Sequence, residues 1–157
     1  MPYTADLARL DAHYQAMPPV AAMQITIAGF DGRRLQLHAP LALHLNDKGC
    51  AFGGSLASMM TLASWGVVSL LLEQVGLQAD VYVADSQIRY LAPLFADLDV
   101  VAEPAPDADL ASFVATLRAR GRARLGVVAH AAMPAGAASP AGVAADFTAR
   151  YVAIARP

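Results

Sequence analysis

The sequence predicts an α+β fold in which one curved antiparallel sheet of about five to six strands wraps around a single long helix. Three observations predict it. The 18 residues from Ser55 to Leu72, SLASMMTLASWGVVSLLL, carry no charge and are apolar on nearly every side, so other structure must surround them. On both sides of that stretch the period changes to two, with Val, Ile, Leu and Tyr alternating as they do in strands. The breaks between those runs are mostly short, which suits hairpins, whereas parallel pairs need long crossovers. A single sheet covering an all-apolar helix has to curl around it.

Each element follows in order. Thr4 to Met17 reads as a first helix: Thr4 can cap it, Leu7, Leu10 and Tyr14 share a face, and Pro18-Pro19 stops it. Met23, Ile25 and Ile27 then alternate with polar or small residues, and Asp31-Gly32 turns the chain into Leu35 and Leu37, a hairpin. Ala39 to Gly54, APLALHLNDKGCAFGG, breaks both periods and forms a loop. The long helix begins near Gly53 and ends at Gly76, a C-cap. Strands are expected over Ala79 to Leu91 and Asp97 to Val101. A short helix opens at Pro106-Asp107, with Leu110, Phe113, Val114 and Leu117 on one face, and closes near Gly121. The last two strands, Arg124 to Met133 and Phe147 to Ile154, are separated by a loop of Pro, Gly, Ala and Ser.

The chain has 157 residues, of which 57% are apolar and 15% charged, with a formal net charge of −2. That length suits one domain, residues 1–157, with a real core. Of the apolar residues 35 are alanines, which sit equally well on a surface, so much of the apolar excess says little about function. A nearly neutral chain gives no electrostatic footing for nucleic acid. The Ser55–Leu72 stretch is at the lower edge of a membrane span, yet Ser55, Ser58, Thr61 and Ser64 recur every third residue and no basic cluster flanks it, so no membrane partner is expected. Cys50 is the only cysteine and has no internal disulfide partner, and the N-terminus lacks the basic-then-apolar order of a signal peptide. Both point to the cytoplasm. His13, His38, His44 and His130 show no metal-ligand spacing, and no cofactor is expected.

The polar run before the long helix, HLNDKGCAFGGS from His44 to Ser55, and the strand segment DSQIRYLAP from Asp85 to Pro93 carry a resemblance. Together with the element order, they resemble the putative thioesterase family of hotdog-fold proteins, also found as the C-terminal domain of longer, acetyltransferase-fused bacterial chains. The resemblance implies a hotdog fold and chemistry on acyl thioesters carried by coenzyme A or acyl carrier protein. Some members are associated with decarboxylation of malonyl groups on acyl carrier protein. One copy of such a fold has exposed sheet edges and a helix that a partner can help to cover, so a homodimer, or a tetramer of paired dimers, is expected, and the resemblance implies sites that lie where two copies meet.

Four residues are the candidate catalytic set: Asn46, Asp47, Gly53 and Gly54. A loop entering a helix leaves N–H groups unpaired at the positive end of the dipole, and glycine lets a ligand approach that backbone closely. A thioester carbonyl placed there would have its developing charge stabilised, although an ordinary capped loop would look the same in sequence. The resemblance also implies a carboxylate, on this loop or on the central helix, that activates water or attacks the carbonyl. The helix from Ser55 to Leu72 has no acid, and Glu73 is roughly 27 Å from its start, which leaves Asp47 as base, or as the cap of a turn beside Gly49. Phe52 stands where many hotdog thioesterases place a histidine just before the paired glycines. It can line an acyl pocket but cannot move a proton. Decarboxylation needs no activated water, and Asn46 could face a malonyl carboxylate without charge repulsion. Hydrolysis, decarboxylation and non-catalytic acyl binding therefore stay open.

The candidate substrate-binding set is Phe52, Ser55, Ser58, Asp85, Ser86 and Arg89. Ser55, Ser58 and Thr61 can face the thioester or bond back to helix carbonyls. Gly53 to Ala57 approximates a G-x-S-x-G elbow, but that motif needs a strand before the turn, so Ser55 is expected to be a cap. On the next strand Asp85, Gln87 and Arg89 are expected on one face with Val81 and Val83, and Ser86 with Tyr90 on the other. The resemblance places this strand beside the acyl and pantetheine channel; pairing of Asp85 or Arg89 with a neighbour is the structural alternative. Arg118, Arg120, Arg122 and Arg124 form the one basic cluster, suited to a coenzyme A phosphate or an acidic carrier, or simply to a helix C-terminus.

Overall fold

The computed structural model describes residues 2–139 and 142–157. The chain runs α1 (Thr4–Gln15), α2 (Pro18–Ala22), β1 (Thr26–Phe30), β2 (Leu35–Ala39), a 3₁₀ turn (Leu41–Leu43), α3 (Gly53–Gln74), β3 (Ala79–Tyr90), β4 (Leu98–Pro104), α4 (Leu110–Arg120), β5 (Arg122–Ala132) and β6 (Val143–Ala155). The six strands form one sheet in the order β1-β2-β4-β5-β6-β3, and every neighbouring pair is antiparallel. α3 is the buried axis expected of the hotdog fold. Met59, Met60, Ala63, Val67 and Val68 are fully enclosed, and the inward residues of the sheet, among them Leu37, Val100, Val127, Phe147 and Tyr151, close around them. Each large aliphatic side chain so buried contributes about 1.5–3 kcal/mol. α3 is also long and apolar enough to cross a membrane, but here it is the wrapped core helix.

Polar groups tie this axis to its surroundings. The Tyr14 hydroxyl donates to the Leu62 carbonyl and the Tyr151 hydroxyl to the Thr61 carbonyl, and burial pushes both phenols up in pKa. The Trp65 indole N–H donates to the Val81 carbonyl, holding α3 against the edge strand β3. α4 closes the far end, where Arg118 donates to the Val75 carbonyl just beyond α3.

Several local expectations change. Tyr3, not Thr4, takes the N-cap position of α1 and makes no side-chain cap bond. Pro18 ends α1 but also starts α2, because proline is well suited to the first turn of a helix. That short helix absorbs Met23 as its C-cap and delays β1 to Thr26. The Asp31-Gly32 hairpin forms as expected: the Asp31 carboxylate accepts from the Arg33 and Arg34 N–H groups, and Gly32 has φ 98°. α4 starts at Leu110 rather than Pro106, since Asp109 is the true cap and accepts from the Ser112 N–H, and Gly121 ends it in the left-handed conformation. Pro140 and Ala141, in the connection expected between the last two strands, lie outside the described residues.

The largest correction concerns β3. The pairing register shifts between Val83, opposite Tyr151, and Asp85, opposite Arg150, so Ala84 is an inserted bulge residue. Val81 and Val83 share the inner face with Tyr151, whose hydroxyl reaches α3. Beyond the bulge the alternation inverts. Ser86, Ile88 and Tyr90 face inward opposite Ala149, Phe147 and Ala145, while Asp85, Gln87 and Arg89 face outward opposite Arg150, Thr148 and Asp146.

Candidate active site at the start of the central helix

The loop from Pro40 to Phe52 is built mainly by local hydrogen bonds. Asp97 accepts from the Leu41 N–H and holds the 3₁₀ turn. Asn46 then closes a tight turn. Its Oδ1 accepts from the Lys48 N–H at 2.8 Å and the Cys50 N–H at 3.1 Å, and its Nδ2 donates to Cys50 Sγ at 3.2 Å. Gly49, at φ 77°, supplies the left-handed residue that this turn requires. Asn46 is thus committed to shaping the loop. Asp47 stands at the tip with its side chain 81% exposed, paired with Lys48 at 2.9 Å.

The loop delivers the chain to α3 through Phe52, whose N–H donates to the His44 carbonyl at 2.7 Å. The Phe52 carbonyl accepts from both Ser55 N–H (3.0 Å) and Leu56 N–H (3.2 Å). Among the described residues the N–H groups of Gly53 and Gly54 find no such partner, and they project from the positive end of a 22-residue helix.

Two aromatic rings flank these glycines. Phe52 is 54% exposed and lies against Gly54: a Cβ there would be 3.0 Å from its Cζ and closer still to Cε2. Tyr90, 57% exposed, comes from the far end of β3, and its hydroxyl donates to the Gly53 carbonyl at 3.0 Å. A Cβ on Gly53 would be 3.3 Å from Tyr90 Cε1. Only residues without side chains leave the backbone open between two rings set this way.

Ser55 does not cap the helix. Its hydroxyl is 2.8 Å from Nδ1 of His44, a histidine only 4% exposed, whose Nε2 is 2.8 Å from the Met23 carbonyl. Ser58 is half-buried one turn farther along, and Thr61 bonds back to the Ala57 carbonyl. Beyond them lies a cavity of about 290 Å³ between α3 and β3, lined by Met17, Thr61, Leu62, Trp65, Val81 and Val83 among others.

The remaining sequence candidates divide. Ser86 is exposed on the inner face of β3, between the bulge and Tyr90. Asp85 and Arg89 face away from α3 and pair across the sheet with Arg150 and Asp146. Arg150 beside Asp85 holds that carboxyl below the usual range, and Asp146 raises the Arg89 guanidinium. Among the arginines of the basic cluster, Arg118 is engaged near the C-terminus of α3, about 30 Å from Gly53 by helix rise. The structure therefore gathers Phe52, Gly53, Gly54 and Ser55 at one place and adds His44 and Tyr90, which sequence reasoning missed.

Comparison with known proteins follows the same lines. Residues 8–155 match the family described as Putative thioesterase (yiiD_Cterm). A crystal structure of a putative thioesterase from Shewanella oneidensis superposes with a TM-score of 0.80 at 30% identity, covering 94% of this chain and 96% of that one. A protein of unknown function from Chlorobaculum tepidum TLS gives 0.87 at 25% identity over 95% and 94% of the two chains. A thioesterase from Haemophilus influenzae shares the fold with a TM-score of 0.70 at 15% identity, covering 93% of this chain and 90% of that one.

Proposed function

The chain belongs to the Putative thioesterase (yiiD_Cterm) family, and from that premise we propose that it hydrolyses acyl thioesters of coenzyme A or acyl carrier protein at the start of α3. The observation that carries this is the pair of open N–H groups on Gly53 and Gly54 between the rings of Phe52 and Tyr90. A thioester oxygen set against them would gain negative charge as a tetrahedral intermediate forms, and fixed donors at a helix N-terminus stabilise that charge without reorganising. One such donor contributes about 2.7–4 kcal/mol to the transition state.

The acyl chain would then run along the half-buried side of α3 past Ser58 toward the cavity beside Thr61, Leu62 and Trp65. Asn46 supports the site by holding the loop in shape. A homodimer completes the proposal. β3 is an edge strand whose inner face leaves Val83, Ser86 and Tyr90 exposed, and a second copy would cover it and wall the channel.

The test is incubation with medium-chain acyl and malonyl thioesters of coenzyme A and of carrier protein, following free thiol and CO2. Thiol release without CO2 is expected. CO2 with the thioester intact would make the chain a malonyl decarboxylase instead, and tight binding with neither product would make it an acyl-binding module.

A further inference from the structure

The hydrogen bonds of His44 fix its tautomer. A backbone carbonyl can only accept, so the bond to Met23 places the proton on Nε2. In the neutral ring Nδ1 is then the lone pair, and the Ser55 hydroxyl 2.8 Å away donates to it. The result is a serine hydroxyl whose proton already points at a neutral imidazole, with the imidazole oriented by a third group. This is the arrangement that activates a serine nucleophile. It is held from two sides, because the His44 carbonyl also accepts from the Phe52 N–H at the helix cap. Asp47, by contrast, is a solvated carboxylate already paired with Lys48.

We propose that Ser55 is the nucleophile of this site and His44 its base. The inference rests on the thioester reading above and names the groups that move the bonds. Ser55 Oγ attacks the thioester carbon as its proton passes to His44 Nδ1, while the oxyanion is held by the Gly53 and Gly54 N–H groups. The C–S bond breaks and the leaving thiolate takes the proton from Nδ1, giving free thiol and an acyl ester on Ser55. Water then gives a proton to Nδ1 as it attacks the ester, and Ser55 recovers that proton as the carboxylic acid departs. Throughout, Nε2–H stays on the Met23 carbonyl, which steadies the transient imidazolium.

The experiment uses the full chain with octanoyl-coenzyme A, quenched within the first turnovers and weighed intact. The wild type should carry one octanoyl group that maps to Ser55. Ser55→Ala should lose the adduct and at least about 10³-fold in kcat. His44→Gln, which can still accept from Ser55 and donate to Met23 but cannot take the proton, should lose as much while melting within a few degrees of the wild type. Ser55→Cys, which keeps the side chain's size should the alanine variant fail to fold, should carry the acyl group at the same position as a thioester that hydroxylamine removes. Turnover by Ser55→Ala or His44→Gln within tenfold of the wild type overturns the pair and leaves the hydrolytic reading standing. Loss of activity in both with no adduct on an active wild type overturns the nucleophile. A wild type that releases no thiol overturns the hydrolytic reading and the inference with it.

Discussion

Gly54→Ala should separate chemistry from folding. Gly54 is not in the left-handed region, so alanine can adopt its backbone. The added Cβ would sit 3.0 Å from Phe52 Cζ and closer to Cε2, so the ring must move, and at 54% exposure it has room to swing outward. Replacing glycine within a helix by alanine gains up to about 1 kcal/mol, which in a chain of this size is worth roughly 2–4 °C. Thermal stability should therefore hold or rise slightly. Activity should fall, because the methyl and the displaced ring crowd the N–H that the thioester oxygen needs. Loss of one such donor costs about 2.7–4 kcal/mol, or 10²–10³ in kcat. Gly53→Ala should cost less, since its Cβ meets Tyr90 at 3.3–3.6 Å and the ring need yield only a few tenths of an ångström. Steady-state thiol release and a melting curve on the same preparations decide it. A Gly54→Ala variant that keeps kcat within threefold of the wild type, or that loses activity only in step with a fall in Tm, refutes the oxyanion role.

Four further outcomes follow from the geometry. Gly66→Ala should destabilise by about 1–3 kcal/mol in chemical denaturation, because its Cβ would lie 2.6 Å from Leu35 Cδ2 and closer still to the Tyr14 hydroxyl, which is fixed on Leu62. Asn46→Asp keeps the acceptor for the Lys48 and Cys50 N–H groups and should keep most activity, whereas Asn46→Ala loses both bonds and should abolish it; equal loss in both variants would mean that the amide itself meets substrate. Val83→Lys on the open edge strand should convert a dimer to a monomer in sedimentation. The Asp31 carboxyl is held below its ordinary 3.8 chiefly by the Arg34 and Arg33 N–H groups, so its contribution is full above 3.8 and fades as pH falls through the lowered value; the Tm deficit of Asp31→Ala at neutral pH should shrink accordingly in acid.

The fold was legible because its strongest signals are long or local. An uncharged helix that is apolar on nearly every side admits few environments, and the Asp31-Gly32 turn and the Gly121 cap are decided by neighbours in sequence. Element starts were less so. Pro18 reads equally as a stop for α1 and a start for α2, and Asp109 and Pro106-Asp107 compete as openings for α4, a choice made by which carboxylate reaches the Ser112 N–H. The site was legible as a segment, Asn46 to Ser55, since glycines before an apolar helix and an Asn-Asp turn are local chemistry too. His44 was not. Its ring meets Ser55, eleven residues later, and Met23, twenty-one earlier, and neither bond leaves a periodic trace in the chain.

Tyr90 escaped for a different reason, and it shows how one residue sets the character of the site. Val81 and Val83 face α3, so a regular strand would carry Asp85, Gln87 and Arg89 inward after them and send Ser86 and Tyr90 to the solvent. That arrangement would set a carboxylate and a guanidinium against an apolar helix without the partners they need. Ala84 removes the conflict. The extra residue turns Asp85 and Arg89 outward, where Arg150 and Asp146 are waiting across the sheet, and brings the Tyr90 hydroxyl to the Gly53 carbonyl. The bulge thus does two things at once: it keeps charge off the core face of β3, and it sets the second aromatic wall beside the open N–H groups.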